Sequence, residues 1–362
     1  MVRYIIITFF ILLGGVLAFG AYKQLNKATA DIILDFMVEN PNKFALKLIF
    51  DDELIAEVAA DRMMPLASTV KIIIAIEYAE QVAAGEVKAD EKVMISDLDK
   101  FYVANTDGGA HMAWLKEVDD QIKEEAITIQ EVAKGMIKYS SNANTEWLIH
   151  RLGIDKINTR LTLLGMQDHS DISYIVSALF VGKEKFPKLK GNELAVAIAK
   201  LDHSEYSKTL NSIHDKLFND TEYKLELGDL GMEVQRVWSD RLPASTVAEY
   251  AGLMSKFNSR AYFAGSVQAT LDDIMQWIFD YPGNREVYKY FGMKGGSTAF
   301  VLTQAMYVTD LSGHKTELAY FFDDLNFVEN MKLQSGLNDF HIQVINNPEF
   351  RNKLRTVLST SK

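Results

Sequence analysis

Two side chains in the first quarter of the chain, Ser68 and Lys71, have types and a spacing that suit nucleophilic chemistry. A lysine amine beside a serine hydroxyl forms a pair of base and nucleophile, which is how a serine is activated for attack. The residues from Lys71 to Ala79 are mostly apolar and helix-forming, and Pro65 precedes them where a proline does little harm. A helix that begins near Ser68 would place both side chains on one face, about one turn apart.

The Ser-x-x-Lys spacing is weakly specific, because it recurs at Ser312–Lys315 and at Ser359–Lys362. The first copy differs in being followed by an apolar helix that would bury it. Two further motifs come later in the chain: Ser140-Ser141-Asn142, the single Ser-x-Asn, and Lys294-Gly295-Gly296, the single Lys-x-Gly. The second motif is predicted to lie between two helices, and the third to precede an apolar strand over 299–309.

Together these motifs resemble those of the penicillin-recognising serine hydrolases, which include class A β-lactamases and D-alanyl-D-alanine peptidases. The segment Pro65–Thr69 resembles the usual entry to the first motif, and Tyr139–Asn142 resembles the Tyr-Ser-Asp-Asn of the family. The segment Asn158–Met166 resembles the stretch of the family that comes after the second motif. The resemblance covers about residues 44–325, apart from an insertion near 183–241.

The resemblance implies a role for each matching residue. Ser68 would be the nucleophile that forms a covalent acyl-enzyme, and Lys71 its base or part of a proton relay. Ser140 would pass a proton to the leaving nitrogen, and Asn142 would hold the amide side chain of the substrate or orient Lys71. Lys294 would direct positive charge toward a substrate carboxylate. Neighbouring cationic charge would lower the pKa of Lys71.

Gly296 and Ser297 complete the candidate substrate-binding residues. The backbone N–H groups of Ser68, at a helix start, and of Ser297 are expected to form an oxyanion hole.

The chain departs from the family pattern at three places. Gly295 stands where a hydroxyl residue is usual, and Ser297 or Thr298 are the candidate substitutes. Ser141 stands at a variable position that is often Asp. The segment Gln167–Ile172 lacks the glutamate that positions the deacylating water in class A enzymes. Acylation of Ser68 is therefore expected, whereas rapid deacylation is not.

Three residues of that segment, Asp168, His169 and Asp171, are alternative bases for deacylation. The competing interpretation is that all three are ordinary loop residues.

Composition excludes several classes of function. The net charge of −11 over 362 residues argues against a broad nucleic-acid surface. The absence of cysteine excludes disulfides, thiolate metal sites and a cysteine nucleophile, and the seven histidines show no zinc-binding spacing. No metal and no cofactor is predicted.

The N-terminal residues 1–22 are predicted to be a membrane anchor or a signal peptide. No charge occurs from Tyr4 to Tyr22, a run longer than the typical ~7–15 residues of a signal-peptide core. This favours an uncleaved anchor, although Ala18-Phe19-Gly20 is a possible cleavage site. The protein is thus expected on the extracytoplasmic face of the cell membrane, or secreted if the segment is cleaved.

Patterns of strands and helices predict an α+β fold in one catalytic domain, residues 23–362. Strands cluster near both chain ends, so an antiparallel sheet lobe is expected from about 40–66 and 285–362. A helical lobe of about 67–284, including the 183–241 insertion, would lie between them. Helices are predicted to begin after Thr128 and Thr246, each followed three residues later by glutamate, and one helix is expected over 338–358.

The sequence leaves three functional hypotheses open. The first is a β-lactamase-type serine hydrolase that acts on β-lactams or related acyl-amides. The second is a D-alanyl peptidase or esterase with the same fold, acting on a peptidoglycan-related substrate. The third is a membrane-held sensor or binding module that is acylated without turnover.

Overall fold

The computed structural model describes residues 29–220, 222–225 and 227–359. The predicted anchor or signal peptide at residues 1–22 lies outside the described residues. In the ranges that are described, every helix is too short or too polar to cross a bilayer.

The strands of the described residues fall near the two ends of the chain, with short pieces between. In chain order they are β1 (Phe44–Phe50), β2 (Glu53–Val58), β3 (Met64–Pro65), β4 (Lys92–Met94), β5 (Ala126–Thr128), β6 (Ala244–Ser245), β7 (Tyr288–Ser297), β8 (Leu302–Asp310) and β9 (Lys315–Phe322).

The α-helices occupy most of the middle of the chain and its C-terminal end. They are α1 (Thr29–Glu39), α2 (Lys71–Ala83), α3 (Ile95–Asp99), α4 (Ala110–Glu117), α5 (Ile129–Lys138), α6 (Asn142–Leu152), α7 (Ile154–Leu164), α8 (Val181–Lys185), α9 (Gly191–Ala199), α10 (His203–Asn219), α11 (Met232–Asp240), α12 (Val247–Ser259), α13 (Gly265–Met275), α14 (Phe327–Asn346) and α15 (Pro348–Ser359).

The chain folds into two compact units. The sheet unit comprises the described residues up to Met64, together with Ser245–Phe263 and Gln276–Lys362. The helical unit comprises Pro65–Ala244 and Ala264–Met275. The predicted α+β class, with a sheet built from both chain ends, is confirmed. The predicted continuous helical lobe of 67–284 is wrong in extent, because α12 and the residues after Met275 belong to the sheet unit.

The sheet unit is built on a five-stranded antiparallel sheet in the order β2-β1-β9-β8-β7. The β1–β2 hairpin turns at Asp51 and Asp52, whose φ angles of 49° and 64° are left-handed, a conformation that aspartate tolerates better than most residues. Phe44 of β1 lies opposite Phe322 of β9, so the two ends of the chain pair directly.

Helices cover both faces of this sheet. Phe322 packs against Phe36 of α1 with 5.8 Å between ring centroids, whereas its neighbour Phe321 packs against Tyr250 of α12 at 5.6 Å. Successive side chains of a strand point to opposite faces, so α1 and α12 lie on opposite sides. Helices α14 and α15 share the α1 side, where Phe340 and Leu354 join the buried core around Phe322.

Two boundaries at the C-terminal end differ from the sequence prediction. The third motif precedes an apolar strand as predicted, but that strand, β8, begins at Leu302 rather than at 299, and the motif itself lies within β7, which runs through Ser297. The helix predicted over 338–358 is two helices, because Pro348 has no N–H to continue the first.

The helical unit packs around α2. Its residues Ile72, Ile73, Ile74 and Ile76 have no exposed surface, and α5, α6, α7 and α13 pack against it. A helix that is apolar on all sides is stable only when it is surrounded. The predicted start of α5 is confirmed, since the Thr128 hydroxyl accepts a hydrogen bond from the N–H of Glu131.

Candidate active site

The segment that carries Ser68 is a short 3-10 turn, Ala67–Val70, which leads directly into α2. The N–H of Lys71 donates to the backbone oxygens of Ser68 and Thr69. Residues three apart eclipse one another in a 3-10 turn, so the Ser68 and Lys71 side chains share a face. Ser68 is half-buried and Lys71 is fully buried. The predicted helix start near Ser68 is therefore confirmed.

The residue before the serine, Ala67, has a left-handed backbone with φ of 45°. Residues other than glycine rarely adopt this conformation, and such strain concentrates where the surrounding structure enforces it. One such restraint is a hydrogen bond of 2.9 Å from the N–H of Leu66 to the backbone oxygen of Pro243. The turn that presents Ser68 is thus held by contacts from a distant part of the chain.

The amine of Lys71 is bonded to both functional residues of the second motif. Its Nζ donates to the backbone oxygen of Ser140 at 2.7 Å, to Ser140 Oγ at 3.2 Å and to Asn142 Oδ1 at 2.8 Å. The structure therefore brings Lys71, Ser140 and Asn142 together, one turn from Ser68. Because the Lys71 amine contacts the Ser140 hydroxyl, a proton can pass between these two groups.

A sharp turn between α5 and α6 places these acceptors. Ser140 has a left-handed φ of 67°, Ser141 is the N-cap of α6, and Asn142 is the first residue of that helix. The predicted interruption between two helices is confirmed. Gly135 of α5 permits the close approach, because a Cβ there would lie 2.4 Å from Asn144 Nδ2.

The segment 167–172, where the resemblance would place a deacylating base, offers one buried titratable group. Burial lowers the pKa of His169 to about 4, so its imidazole is neutral at physiological pH. Its Nδ1 lies 2.6 Å from the backbone oxygen of Ser170, while Asp168 and Asp171 are exposed. The segment is fixed beside Ala244, whose backbone bonds to that of Ser170 at 2.9 Å.

Sequence patterns did not single out Glu146, a fully buried carboxylate on α6. Its two oxygens accept hydrogen bonds from the backbone N–H groups of Ile175, Val176 and Ser177 at 2.8, 2.9 and 3.0 Å, and from Ser177 Oγ at 2.5 Å. The irregular segment after residue 172 is thereby fastened to the helix that begins with Asn142. The only local signal that could have pointed to Glu146 was its place directly before the apolar run 147–149.

A chain of two histidines extends from this carboxylate to the surface. His214 Nδ1 lies 3.5 Å from Glu146 Oε1, and His214 Nε2 lies 2.9 Å from Nδ1 of the exposed His150. His150 is thus the surface end of this chain.

Trp114 of α4 is a packing residue, since its side chain is only 1% exposed.

The three remaining candidates, Lys294, Gly296 and Ser297, lie on β7 of the sheet unit. Burial lowers the pKa of Lys294 to about 7, and its amine donates to the backbone oxygen of Gly295 at 2.6 Å. Gly296 is buried and Ser297 is exposed. The parts of these residues in the site, and the predicted oxyanion hole, stay predictions.

The place of the missing hydroxyl residue at Gly295 is occupied from the neighbouring strand. Gly295 lies opposite Gln304 of β8, and a Cβ on Gly295 would lie only 2.6 Å from Gln304 Oε1. The amide of Gln304 therefore fills the space that a side chain at position 295 would need. Of the two candidate substitutes, Thr298 accepts hydrogen bonds from the N–H groups of Phe300 and Val301, both at 3.1 Å.

The part of the chain that the structure describes contains no cluster of three or more acidic or histidine side chains that could hold a metal ion.

Comparison with known proteins identifies the family of the chain. The model of the beta-lactamase enzyme family matches residues 25–256. A class A beta-lactamase from Bacteroides cellulosilyticus is similar, with a TM-score of 0.51 and 18% identity over 89% of this chain and 99% of the other. A beta-lactamase from Sphaerobacter thermophilus gives a TM-score of 0.54 and 15% identity over 88% of this chain and 97% of the other.

A third similar structure is a point mutant of PBP-A as an acyl-enzyme complex with penicillin G. Its TM-score is 0.52 and its identity 16%, over 88% of this chain and 96% of the other. No curated protein matches the chain. At these identities the solved structures establish the fold, and the family model, which spans more than half of the chain, establishes the membership: this chain belongs to the beta-lactamase enzyme family.

Proposed function

We propose that the protein is a serine hydrolase that opens a β-lactam or a related acyl-amide through a covalent acyl-enzyme at Ser68. The observation that carries the proposal is the buried amine of Lys71, which begins the helix one turn after Ser68 and is bonded to Ser140 and Asn142. A serine alone is a weak nucleophile at neutral pH, and an adjacent base is what activates it.

The proposed acylation balances its protons through the same residues. Lys71, as a neutral amine, takes the proton of Ser68 Oγ while that oxygen bonds to the carbonyl carbon of the substrate. The bond from carbon to nitrogen then breaks, and the nitrogen takes a proton from Ser140 Oγ. Lys71 returns its proton to Ser140 across their 3.2 Å contact.

Substrate binding is proposed for the other family-like positions. The Asn142 amide would hold the side-chain amide of the substrate, and Lys294 would attract its carboxylate. The N–H groups of Ser68 and Ser297 would stabilise the oxyanion, with Gly296 allowing a substrate to approach the strand.

Deacylation is proposed to be slow. The segment 167–172 has no glutamate, and the Nδ1 of its buried His169 is engaged by Ser170. A general base contributes about 10²–10⁴-fold to a rate. Without one, the acyl-enzyme would persist instead of being hydrolysed quickly. This observation favours a second candidate, a penicillin-binding protein that is acylated persistently or whose substrate is a D-alanyl peptide or an ester. The similarity to a PBP-A mutant in an acyl-enzyme complex with penicillin G supports the same alternative.

The experiment is intact-mass analysis after exposure to penicillin G, with a chromogenic cephalosporin to follow turnover. The chain offers a matched control, because Ser312–Lys315 repeats the spacing at an exposed serine. Turnover that Ser68→Ala abolishes and Ser312→Ala preserves supports the hydrolase. A persistent adduct with the same dependence on Ser68 supports the second candidate. The proposed nucleophile would be refuted if neither an adduct nor turnover were observed, or if an adduct formed on Ser68→Ala.

We also propose that the protein acts on the extracytoplasmic face of the cell membrane, held there by residues 1–22. β-Lactams and peptidoglycan-related substrates are met on that side. Protection of the intact protein from protease added to whole cells, with digestion only after lysis, would contradict this location.

A further inference from the structure

A buried histidine, His111 of α4, contacts the residue between the two acceptors of Lys71. Its side chain has no exposed surface, and its Nδ1 lies 2.9 Å from Ser141 Oγ. Ser141 is equally buried and is flanked by Ser140 and Asn142. Any displacement of Ser141 would therefore move both residues that hold the Lys71 amine.

The hydrogen bonds around Ser141 determine which way the contact with His111 runs. Asn144 Nδ2 donates to the backbone oxygen of Val132 at 3.1 Å, which fixes the orientation of the Asn144 amide. Its Oδ1 can then only accept, so Ser141 Oγ donates its single hydrogen there, at 3.0 Å. The N–H of Asn144 donates to Ser141 Oγ at 3.2 Å. His111 must therefore donate from Nδ1, because Ser141 has no second hydrogen to give.

The imidazole is also held on its other sides. Its ring packs against Tyr102 and Trp114, with centroid distances of 4.9 and 5.5 Å. The Asp107 carboxylate accepts from the N–H of His111 at 3.0 Å and so fixes the start of α4. Nε2 is buried without a hydrogen-bond partner in the described part of the chain and faces Asp99 Oδ1 at 3.8 Å. The ring thus bridges the segment 99–111 and the turn at Ser141.

We infer that His111 is a positioning residue, whose Nδ1–H holds Ser141 and thereby keeps Ser140 and Asn142 against Lys71. The turn needs such a restraint, because Ser140 has a left-handed backbone that residues other than glycine rarely adopt. The inference rests on the proposed function, since it assigns His111 to the acylation of Ser68. It accounts for a neutral serine at position 141, where a hydroxyl accepts from His111 and still donates to Asn144.

The test compares two isosteric amides at position 111. His111→Asn places an amide N–H near the position of Nδ1, whereas His111→Gln places it near Nε2. Acylation of Ser68 by penicillin G should stay within about threefold in His111→Asn and fall about 10–100-fold in His111→Gln, as small misplacements of catalytic groups do. Equal rates in both variants would overturn the inference, provided that their urea midpoints agree.

A second comparison shows whether the effect passes through Ser141. In a Ser141→Ala background the further change His111→Gln should have no additional effect on acylation. If the losses of acylation rate in the two single variants add in the double variant, His111 acts by a route other than Ser141.

Two measurements keep the inference testable if penicillin G does not acylate the protein at all. Nitrogen-15 NMR of the native protein should show Nδ1 of His111 protonated, and a neutral ring protonated only on Nε2 would refute the assignment. The carbon-13 signal of the Lys71 Cε should move in His111→Gln and stay in His111→Asn. An unmoved signal in both variants would refute the link to Lys71, independently of the proposed reaction.

Discussion

The amine of Lys71 donates a hydrogen bond of 2.8 Å to the side-chain oxygen of Asn142. The bond joins the first residue of α2 to the first residue of α6, so it ties the helix that follows the serine to the helix that follows the second motif. A buried amine is stable only with hydrogen-bond partners. Asn142 therefore keeps the Lys71 amine in the interior and beside the Ser140 hydroxyl.

Replacement of Asn142 by alanine should slow the acylation of Ser68 by about 10–100-fold, because the Lys71 amine loses the acceptor that holds it beside Ser140, and small misplacements of catalytic groups cost about that much. Rapid-quench mass analysis with penicillin G measures this rate. Asn192→Ala, on the exposed face of α9, is the matched control. An unchanged rate in Asn142→Ala would show that Lys71 does not depend on this acceptor.

Acylation by a substrate that carries a carboxylate should weaken as pH rises through 7. Burial lowers the pKa of Lys294 to about 7, so its positive charge is present below that pH and lost above it. The second-order acylation rate with penicillin G should fall by about tenfold between about pH 6 and pH 8. In Lys294→Arg the guanidinium stays charged, and the fall should disappear. The same fall in both proteins would assign it to another group.

The same buried amine should make folding stability depend on pH. The pKa of Lys294 is about 7 in the folded protein and about 10.4 when unfolded, so the unfolded chain binds more protons between these values. The contribution of Lys294 to stability therefore rises with pH across this window. Urea unfolding at several pH values should show the rise and should show a smaller one in Lys294→Met. An equal dependence of unfolding free energy on pH in the native protein and in Lys294→Met would indicate that the Lys294 amine is solvated.

A side chain at position 295 should conflict with Gln304. A Cβ there would meet Gln304 Oε1 at 2.6 Å and the backbone oxygen of Thr303 at 3.3 Å. Gly295→Ser should therefore cost about 1–3 kcal/mol in unfolding free energy, as overpacking does. Adding Gln304→Ala should recover most of that loss, because the amide is the closer obstacle. Purely additive effects of the two changes in urea unfolding would exclude this competition for space.

Glu146 should be essential for stability although it is not proposed to act on substrate. Glu146→Ala would leave four buried donors without an acceptor, a loss of about 3–5 kcal/mol. Glu39→Ala, at an exposed site, should change the unfolding free energy by less than about 0.5 kcal/mol. Equal urea midpoints for the two variants would mean that the segment after residue 172 is not held by Glu146.

Local sequence patterns predicted the elements that depend on neighbouring residues. The glutamate three residues after Thr128 marked the start of α5, and a glycine, Gly153 or Gly165, comes directly after the last residue of α6 and of α7. Such signals are reliable because a helix cap is satisfied within a few residues. The strand that contains the third motif was not predicted, because a pair of glycines carries no alternating apolar pattern.

The Ser-x-x-Lys spacing of the first motif occurs three times in the sequence. The order of the three motifs along the chain was enough to select the copy at Ser68. The sequence alone thus determined the candidate nucleophile Ser68, the candidate base Lys71 and the family resemblance. It also determined which groups the site lacks, the hydroxyl at Gly295 and the glutamate in 167–172.

Only the tertiary structure decided which groups replace or support the missing ones. The approach of Gln304 to Gly295 depends on strand register, and the contact of His111 with Ser141 joins residues from two separate helices. These contacts link parts of the chain that no local pattern connects, because they arise when buried surfaces pack and most enclosed polar groups take a hydrogen-bond partner. The same requirement buries the Lys71 amine against Ser140 and Asn142 and so distinguishes this copy of Ser-x-x-Lys from the exposed one at Ser312.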